Sequence, residues 1–283
     1  MKRLNKGFGG MVFYAAVLLC ILTLFCAGFV GASAEEAEVR LPILMYHDVM
    51  DQPCAPDEYT VSASQLEADI LALRAGGWET VTLAEVIQFV HADGSLPEKP
   101  VLLVFDDGYQ SILAHVIPLL EKYDAHAVVS VIGARAQELE DGCDTAGNYM
   151  NWMDLQSAIL SGRIEAQSHS AQLHVYRTRK GAEMLPEESA AAYAEMFLAD
   201  VRTMSEWARA AELPLMPSFA YPYGYVEPLA DILLQQQGCL VTMTSEPHIN
   251  VLSKDPQCLF RLGRFNRSGL ISTQEMLQWL ECA

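Results

Sequence analysis

The stretch VLLVFDDGYQ, residues 101–110, runs from five apolar residues into two adjacent aspartates and a glycine. A strand without a polar position has no wet face, which is typical of a parallel sheet covered on both sides. Asp106 and Asp107 therefore stand where a buried strand ends, and Gly108 eases a turn there. Two like charges are tolerable at one place if a dication lies between them. The alternative, an acidic cap on the next helix, explains one aspartate but explains two poorly.

Strands and helices alternate along the chain on both sides of this stretch. Other strands are predicted at residues 40–46, 127–133 and 163–168, within 217–224, and at 239–244 and 259–265. Capping boxes at Ser64–Glu67 and Thr82–Glu85 predict two helices, and further helices are predicted near 110–122, 153–160, 187–211, 228–236 and 273–280. Residues 134–150 read as a loop and 176–185 as an irregular basic insertion. The alternation predicts one α/β domain over residues 39–283, with helices outside a parallel sheet that is open or closed into a barrel.

Composition and charge restrict the class of partner. The chain has 283 residues, of which 51% are hydrophobic and 19% charged, so it can bury a full-sized core. The formal net charge of −18 argues against DNA, RNA or an anionic membrane surface, because phosphate binding needs clustered lysine and arginine. A neutral substrate, or one whose product becomes cationic, fits this charge better.

The N-terminus has the pattern of an export signal. Three basic residues precede an apolar run, and Ala32-Ser33-Ala34 resembles a small-residue cleavage site. We predict a signal peptide over residues 1–34, or an uncleaved membrane anchor through residues 7–32, and an exported domain in either case. A disulfide between Cys239 and Cys258 is one alternative for the later cysteines, and unpaired thiols are the favoured one.

Titratable and polar residues follow four of the predicted strands. His47 follows the first strand, Asp106 and Asp107 follow VLLVF, His169 and His174 follow the strand at 163–168, and Tyr223 follows SFAYP. The carboxyl ends of parallel strands meet at one edge of a sheet, where functional groups gather. The four sites are therefore expected to lie close together.

His169 and His174, in SHSAQLH, are five residues apart, a spacing that does not place two side chains on one face of a helix. In a loop at the end of a strand, both imidazoles can turn toward one point. Two histidines and one carboxylate leave positions on a metal open for water and substrate, which is a catalytic arrangement. Two ordinary surface histidines remain the alternative for this pattern taken alone.

The motifs FDDG, HSAQLH and YPYG together resemble the polysaccharide deacetylases of carbohydrate esterase family four. This resemblance implies a distorted (β/α) barrel of about seven parallel strands and a metal-dependent hydrolase that removes N-acetyl groups. It assigns Asp106 as general base and Asp107, His169 and His174 as ligands of one divalent ion. Zinc is expected, with Co²⁺, Ni²⁺, Fe²⁺ or Mn²⁺ as alternatives. The backbone N–H of Tyr223 would help to stabilise the oxyanion.

Two departures from the family pattern point to one of its branches. The family's third motif usually has arginine two residues before the proline, where this chain has Ala220, and its usual late catalytic histidine is not visible. The exported poly-N-acetylglucosamine deacetylases of biofilms are more similar, with an early MYHDV motif that matches residues 45–49. By that likeness His47 is the general acid. Arg261 or Arg264 is expected to replace the missing arginine.

The substrate implied by the resemblance is an N-acetylglucosamine-containing polysaccharide bound by a monomer. Trp152, Tyr221, Tyr225 and Arg264 are candidate substrate contacts, and packing is the alternative for Trp152. Three other functions remain open: a peptidoglycan deacetylase acting on N-acetylglucosamine or N-acetylmuramic acid, an inactive cell-wall glycan-binding protein, and a non-haem iron oxygenase, since two histidines and a carboxylate also suit Fe(II).

Overall fold

The computed structural model describes residues 38–52, 57–142 and 148–282. The leader predicted for residues 1–34 lies outside this range. The strands are β1 Val39–Leu41, β2 Ile43–Tyr46, β3 Asp48–Met50, β4 Thr60–Ser62, β5 Glu79–Thr80, β6 Pro100–Phe105, β7 Ala127–Val131, β8 Ile164–Ser168, β9 Leu215–Ala220, β10 Val241–Met243, β11 Asn250–Leu252 and β12 Phe265–Asn266. The α-helices are α1 Ala63–Ala75, α2 Leu83–His91, α3 Ile117–Tyr123, α4 Gly133–Glu140, α5 Trp152–Leu160, α6 Ala190–Ala210, α7 Pro228–Gln236 and α8 Thr273–Cys282.

Seven strands form the main sheet, in the order β10-β9-β8-β7-β6-β2-β12, and β5 also pairs with β6. Every neighbouring pair in this sheet is parallel. The sheet curls into a half-barrel with helices outside it. The predicted α/β class, with a distorted barrel of about seven parallel strands, is confirmed.

The two edges of the curled sheet are linked by one segment of the chain. Leu262 exchanges hydrogen bonds with the backbone of Thr242 and Thr244 beside β10. Three and four residues later, Phe265 and Asn266 pair with β2 at the opposite edge. Arg264 lies between these two contacts, so the segment that links the edges also carries a cation to the carboxyl ends of the strands.

The strand β6 is buried at all six of its positions, as the run VLLVF predicts. Its alternate side chains enter two different cores because successive residues of a strand point to opposite faces. Val101, Leu103 and Phe105 pack outward against helices such as α1 and α5. Leu102 and Val104 pack inward with residues of β10, across the inside of the curled sheet.

Four local predictions differ from the structure. The capping box of α1 uses Ser62 and Gln65 instead of Ser64 and Glu67, because the strand ends at Ser62 and the first of two overlapping boxes is used. Residues 134–150 are not all loop, since α4 occupies Gly133–Glu140 and packs on α6, where a Cβ on Gly133 would lie 2.7 Å from Met204 Sδ. The helix predicted near residues 110–122 is divided into a π-helical turn at Ile112–Val116 and the helix α3, and Pro118 lies in the first turn of α3. The strand predicted over residues 259–265 is reduced to β12.

Two further findings concern the cysteines and the membrane. Cys239 and Cys258 are free thiols, so the alternative of a disulfide between them is wrong. Among the residues described by the structure, none of the helices has both the length and the apolar character needed to cross a bilayer.

Candidate active site

A cavity of about 600 Å³ lies at the carboxyl ends of the parallel strands. Its wall includes residues from all four of the strand ends selected from the sequence, namely His47, Asp106, Asp107, His169, His174 and Tyr223. The parallel sheet explains this convergence, because β2, β6, β8 and β9 all run in the same direction and end at the same side.

Sharp turns at three strand ends aim these side chains into the cavity. Asp107, Ser170 and Tyr223 all have left-handed backbone conformations, with φ of 73°, 71° and 58°. A residue other than glycine pays of order 1–2 kcal/mol for this conformation, and such strain clusters at functional sites. Gly224 must be glycine, because its φ is 73° and a Cβ there would lie 1.8 Å from Ser245 Oγ.

Asp107, His169 and His174 form a candidate metal centre. One ligand atom from each lies within 4.8 Å of those of the other two. Asp107 Oδ1 is 3.7 Å from His169 Nε2 and 3.3 Å from His174 Nε2. This oxygen is buried and accepts no hydrogen bond from the described residues. A buried carboxylate oxygen left without a donor and facing two imidazoles suits a bound divalent cation, so the residues fit the predicted ion.

The protonation of the two histidines favours metal binding. The Nδ1 atom of His169 lies 2.8 Å from the carbonyl oxygen of Ala220 and donates to it, which leaves the Nε2 lone pair facing Asp107. Burial lowers the pKa of His169 and of His174 to about 4, so both rings are neutral at pH 7. Burial also raises the pKa of Asp107. A cation at this point would restore the charged form of the carboxylate.

Asp106 is paired with an arginine rather than with the metal centre. Arg264 Nη1 donates to Asp106 Oδ1 at 2.7 Å, and both side chains are almost fully buried. Arg264 Nε is fixed in turn by the carbonyl oxygen of Thr244. Burial alone would raise the pKa of Asp106, but Arg264, with help from His169 and His47, holds that pKa well below its usual range. The carboxylate therefore stays ionised and oriented at neutral pH.

The loop between the two histidines is held by Asp200 of α6. The two carboxylate oxygens of Asp200 accept hydrogen bonds from the N–H groups of Ala171 and Gln172, at 2.9 and 2.7 Å. Asp200 is not among the residues predicted from the sequence, although a signal for it exists. Asp200 falls in the buried stripe of α6, between Phe197 and Met204, where a carboxylate needs a partner.

His47 lies on another part of the cavity wall. Its ring makes an edge contact with Tyr59, at 4.9 Å between centroids, and its Nδ1 is buried without a partner among the described residues. Tyr59, Tyr109 and Tyr176 also line the cavity, although none of them is among the site residues predicted from the sequence.

Most of the predicted substrate contacts are buried and do not form the exposed wall of a groove. Trp152 is 4% exposed and its Nε1 donates to Gln137, so the ring packs in the core. Tyr221 is fully buried and donates to Asp231, which also pairs with Arg261. Arg264 lines the cavity, but it is 1% exposed and donates to Asp106. Of the four predicted residues, Tyr225 alone lines the cavity with a partly exposed ring.

Comparison with known proteins gives a consistent match. The family described as polysaccharide deacetylase matches residues 93–240. A poly-beta-1,6-N-acetyl-D-glucosamine N-deacetylase of Escherichia coli is 26% identical over 225 residues, which cover 72% of this chain and 33% of that protein. The chain thus spans about one third of the length of that relative.

Two solved structures share the fold. IcaB from Ammonifex degensii superposes with a TM-score of 0.70 and 24% identity, over 86% of this chain and 97% of that one. A de-N-acetylase from Aggregatibacter actinomycetemcomitans gives a TM-score of 0.74 and 21% identity, over 85% of this chain and 99% of that one. At these identities the likeness establishes the fold.

Proposed function

The chain belongs to the polysaccharide deacetylase family, and we propose that it is an exported, metal-dependent enzyme that hydrolyses the N-acetyl groups of an N-acetylglucosamine-containing polysaccharide. The reaction consumes water, breaks the amide C–N bond and releases acetate and a glucosamine unit. One observation carries the proposal: a buried, ionised Asp106 lies directly beside a cluster of one carboxylate and two neutral imidazoles.

Asp107, His169 and His174 would hold the divalent ion, which we take to be zinc. When bound, such an ion supplies Lewis acidity, polarising a carbonyl oxygen and lowering the pKa of water toward neutrality. The protein holds the histidine ligands in the protonation state that metal binding requires. Hydrogen bonding to Ala220 fixes the tautomer of His169, and burial keeps both histidines unprotonated.

Asp106 acts as the general base in this proposal. It takes the proton of the attacking water as the new C–O bond forms at the acetyl carbonyl. The Arg264 pair orients the carboxylate and leaves Oδ2 on the side of His169, 3.8 Å from its Nε2. Arg264 would thereby replace the arginine that the family usually carries at the position of Ala220.

His47 and Tyr223 complete the reaction from the rest of the wall. We assign His47 as the general acid that gives a proton to the leaving nitrogen, so that the departing group is an amine. The backbone N–H of Tyr223 would donate to the oxyanion, and the left-handed turn at this residue provides its orientation.

The substrate assignment rests on the relatives of this chain. The Escherichia coli relative is described as acting on poly-β-1,6-N-acetyl-D-glucosamine. Export is proposed from the basic and apolar leader, and the protein is proposed to act as a monomer outside the cytoplasm. Peptidoglycan is the other glycan that the test must include.

The test is acetate release by the purified full chain from β-1,6-linked N-acetylglucosamine oligomers and, in parallel, from peptidoglycan. We expect release from the oligomers, and we expect D106N to lower kcat by at least about 100-fold. Full activity of D106N would refute the base assignment. Release from peptidoglycan alone would move the substrate to the cell wall, and release from neither would refute the proposed function.

A further inference from the structure

A cluster of two tyrosines and one lysine lies beside the proposed catalytic residues and has no part in the chemistry described above. It consists of Tyr176, Tyr225 and Lys180, here called the tyrosine platform. Tyr176 and Tyr225 both line the cavity. Tyr176 is 57% exposed, an unusual state for a large ring inside a concave site.

The platform continues a row of rings that begins at the metal centre. The ring of His174 contacts that of Tyr223 at 4.4 Å, and Tyr223 contacts Tyr176 at 5.3 Å. Tyr176 then lies 6.2 Å from Tyr225. The row thus leads outward from a proposed metal ligand along the cavity wall. Each platform tyrosine also follows a site residue by two positions, Tyr176 after His174 and Tyr225 after Tyr223.

The platform rings are held in place before any ligand binds. The hydroxyl groups of Tyr176 and Tyr225 are 3.3 Å apart. The ammonium group of Lys180 lies 5.5 Å from the centroid of each ring, within the range of cation–π attraction. When a ligand binds to fixed rings, little side-chain conformational entropy is lost, so the platform is suited to binding.

The backbone beneath the platform is also fixed. Residues 175–181 form a small closed turn, in which the Gly181 N–H donates to the carbonyl oxygen of Val175 at 3.0 Å. Arg179 anchors this turn through two hydrogen bonds to the Glu188 carboxylate. A Cβ on Gly181 would lie 2.5 Å from the carbonyl oxygen of Pro222, so the turn is packed tightly against the YPYG segment.

We propose that the tyrosine platform is a second sugar subsite, which binds a pyranose unit next to the one whose acetyl group is removed. The inference rests on the proposed function and deepens it. A pyranose ring offers an apolar C–H face that packs on an exposed aromatic ring, while tyrosine hydroxyl groups meet its hydroxyl groups. Lys180 is a positioning residue, because it contacts the rings and does not itself line the cavity.

The test measures how affinity depends on the length of the glycan. Calorimetric binding of N-acetylglucosamine monomer through pentamer is compared for the full chain, Y176A, Y176F and K180M, with kcat and KM measured on the same ligands. We expect wild-type affinity to rise when a second or third unit is added. In Y176A this gain should be lost, raising KM for the pentamer roughly three- to tenfold with kcat and monomer binding unchanged.

The other variants distinguish the contributions of the tyrosine ring, its hydroxyl group and the lysine cation to the affinity. Y176F keeps the stacking face and should retain most of the gain, and K180M should fall between Y176F and Y176A. R177M removes a neighbouring exposed cation outside the platform and should behave as wild type.

Unchanged pentamer affinity in Y176A, or equal losses for monomer and pentamer, would refute the subsite. The binding measurement does not need turnover. If no acetate is released but the length-dependent gain disappears in Y176A, the proposed reaction fails and the subsite stands. Acetate release with no length dependence in wild type would refute the subsite and leave the reaction intact.

Discussion

Replacing Arg264 with methionine tests the electrostatic support of the proposed base. In the wild type, Arg264 Nη1 lies 2.7 Å from Asp106 Oδ1, and the two side chains are 1% and 3% exposed. Removing one partner of a buried ion pair typically costs 3–5 kcal/mol, because the other charge is left uncompensated. Part of that cost is relieved when the carboxylate takes up a proton.

The size of the expected effect follows from the same figures. One pKa unit corresponds to about 1.36 kcal/mol, so the loss of Arg264 should raise the pKa of Asp106 by roughly 2 to 4 units. The wild-type pKa lies well below the usual range, and burial, which raises it, remains in the variant. The acid limb of kcat/KM should therefore move to higher pH in R264M, since the base is lost by protonation as the pH falls.

The assay is the pH profile of acetate release from a soluble N-acetylglucosamine oligomer, recorded at saturating zinc. R264K keeps a cation near Asp106 and should shift the limb less than R264M does. R261M removes an arginine of the same segment that pairs with Asp231, and should leave the limb in place. Superimposable acid limbs for wild type and R264M, in a folded variant, would refute the claim that Arg264 keeps the base ionised.

Three further predictions concern the acid, the metal loop and pH. H47A should lower kcat by roughly 10²- to 10⁴-fold with little change in oligomer affinity, and an unchanged rate would remove His47 from the acid role. D200N weakens the hydrogen bonds that hold the loop between His169 and His174, so chelator competition should show zinc binding that is about 10- to 100-fold weaker. Zinc affinity equal to that of the wild type would show that Asp200 does not position the metal ligands. In metal-free protein the folded pKa of His169 and His174 is lowered to about 4, so the unfolded chain takes up protons first as the pH falls below about 6.5. The two neutral histidines therefore each stabilise the folded state by up to roughly 3 kcal/mol above pH 6.5, and this contribution should be lost as the pH falls toward 4. A Tm that stays constant between pH 7 and pH 5 would contradict this prediction.

The sequence predicts the fold well where burial alone determines the structure. The run VLLVF leaves no polar face, and β6 is buried on both sides as a consequence. The end of a parallel strand is also a predictable place for chemistry, so residues far apart in sequence, such as His47 and His174, were selected for one site. Local polarity predicted secondary structure less well, because the polar segment expected to be a loop contains the helix α4, which packs on α6.

Side-chain partners across the fold were harder to predict. A sequence pattern does not show that Trp152 turns into the core toward Gln137, or that Tyr221 turns toward Asp231. Similarly, the choice between Arg261 and Arg264 depends on which one the segment linking the two sheet edges aims at the strand ends. That direction is set by pairing with β2 and β10, which are distant in sequence.

The most direct test of the metal-dependent reaction is acetate release by the purified full chain from N-acetylglucosamine oligomers, after metal stripping and again after zinc is restored. We expect no release from the stripped protein, recovery with zinc, and no recovery in D107A, because Asp107 supplies the only carboxylate of the proposed ligand set. Equal release with and without metal would contradict a metal-dependent reaction at this site. So would the absence of release with every divalent ion from Mn²⁺ to Zn²⁺.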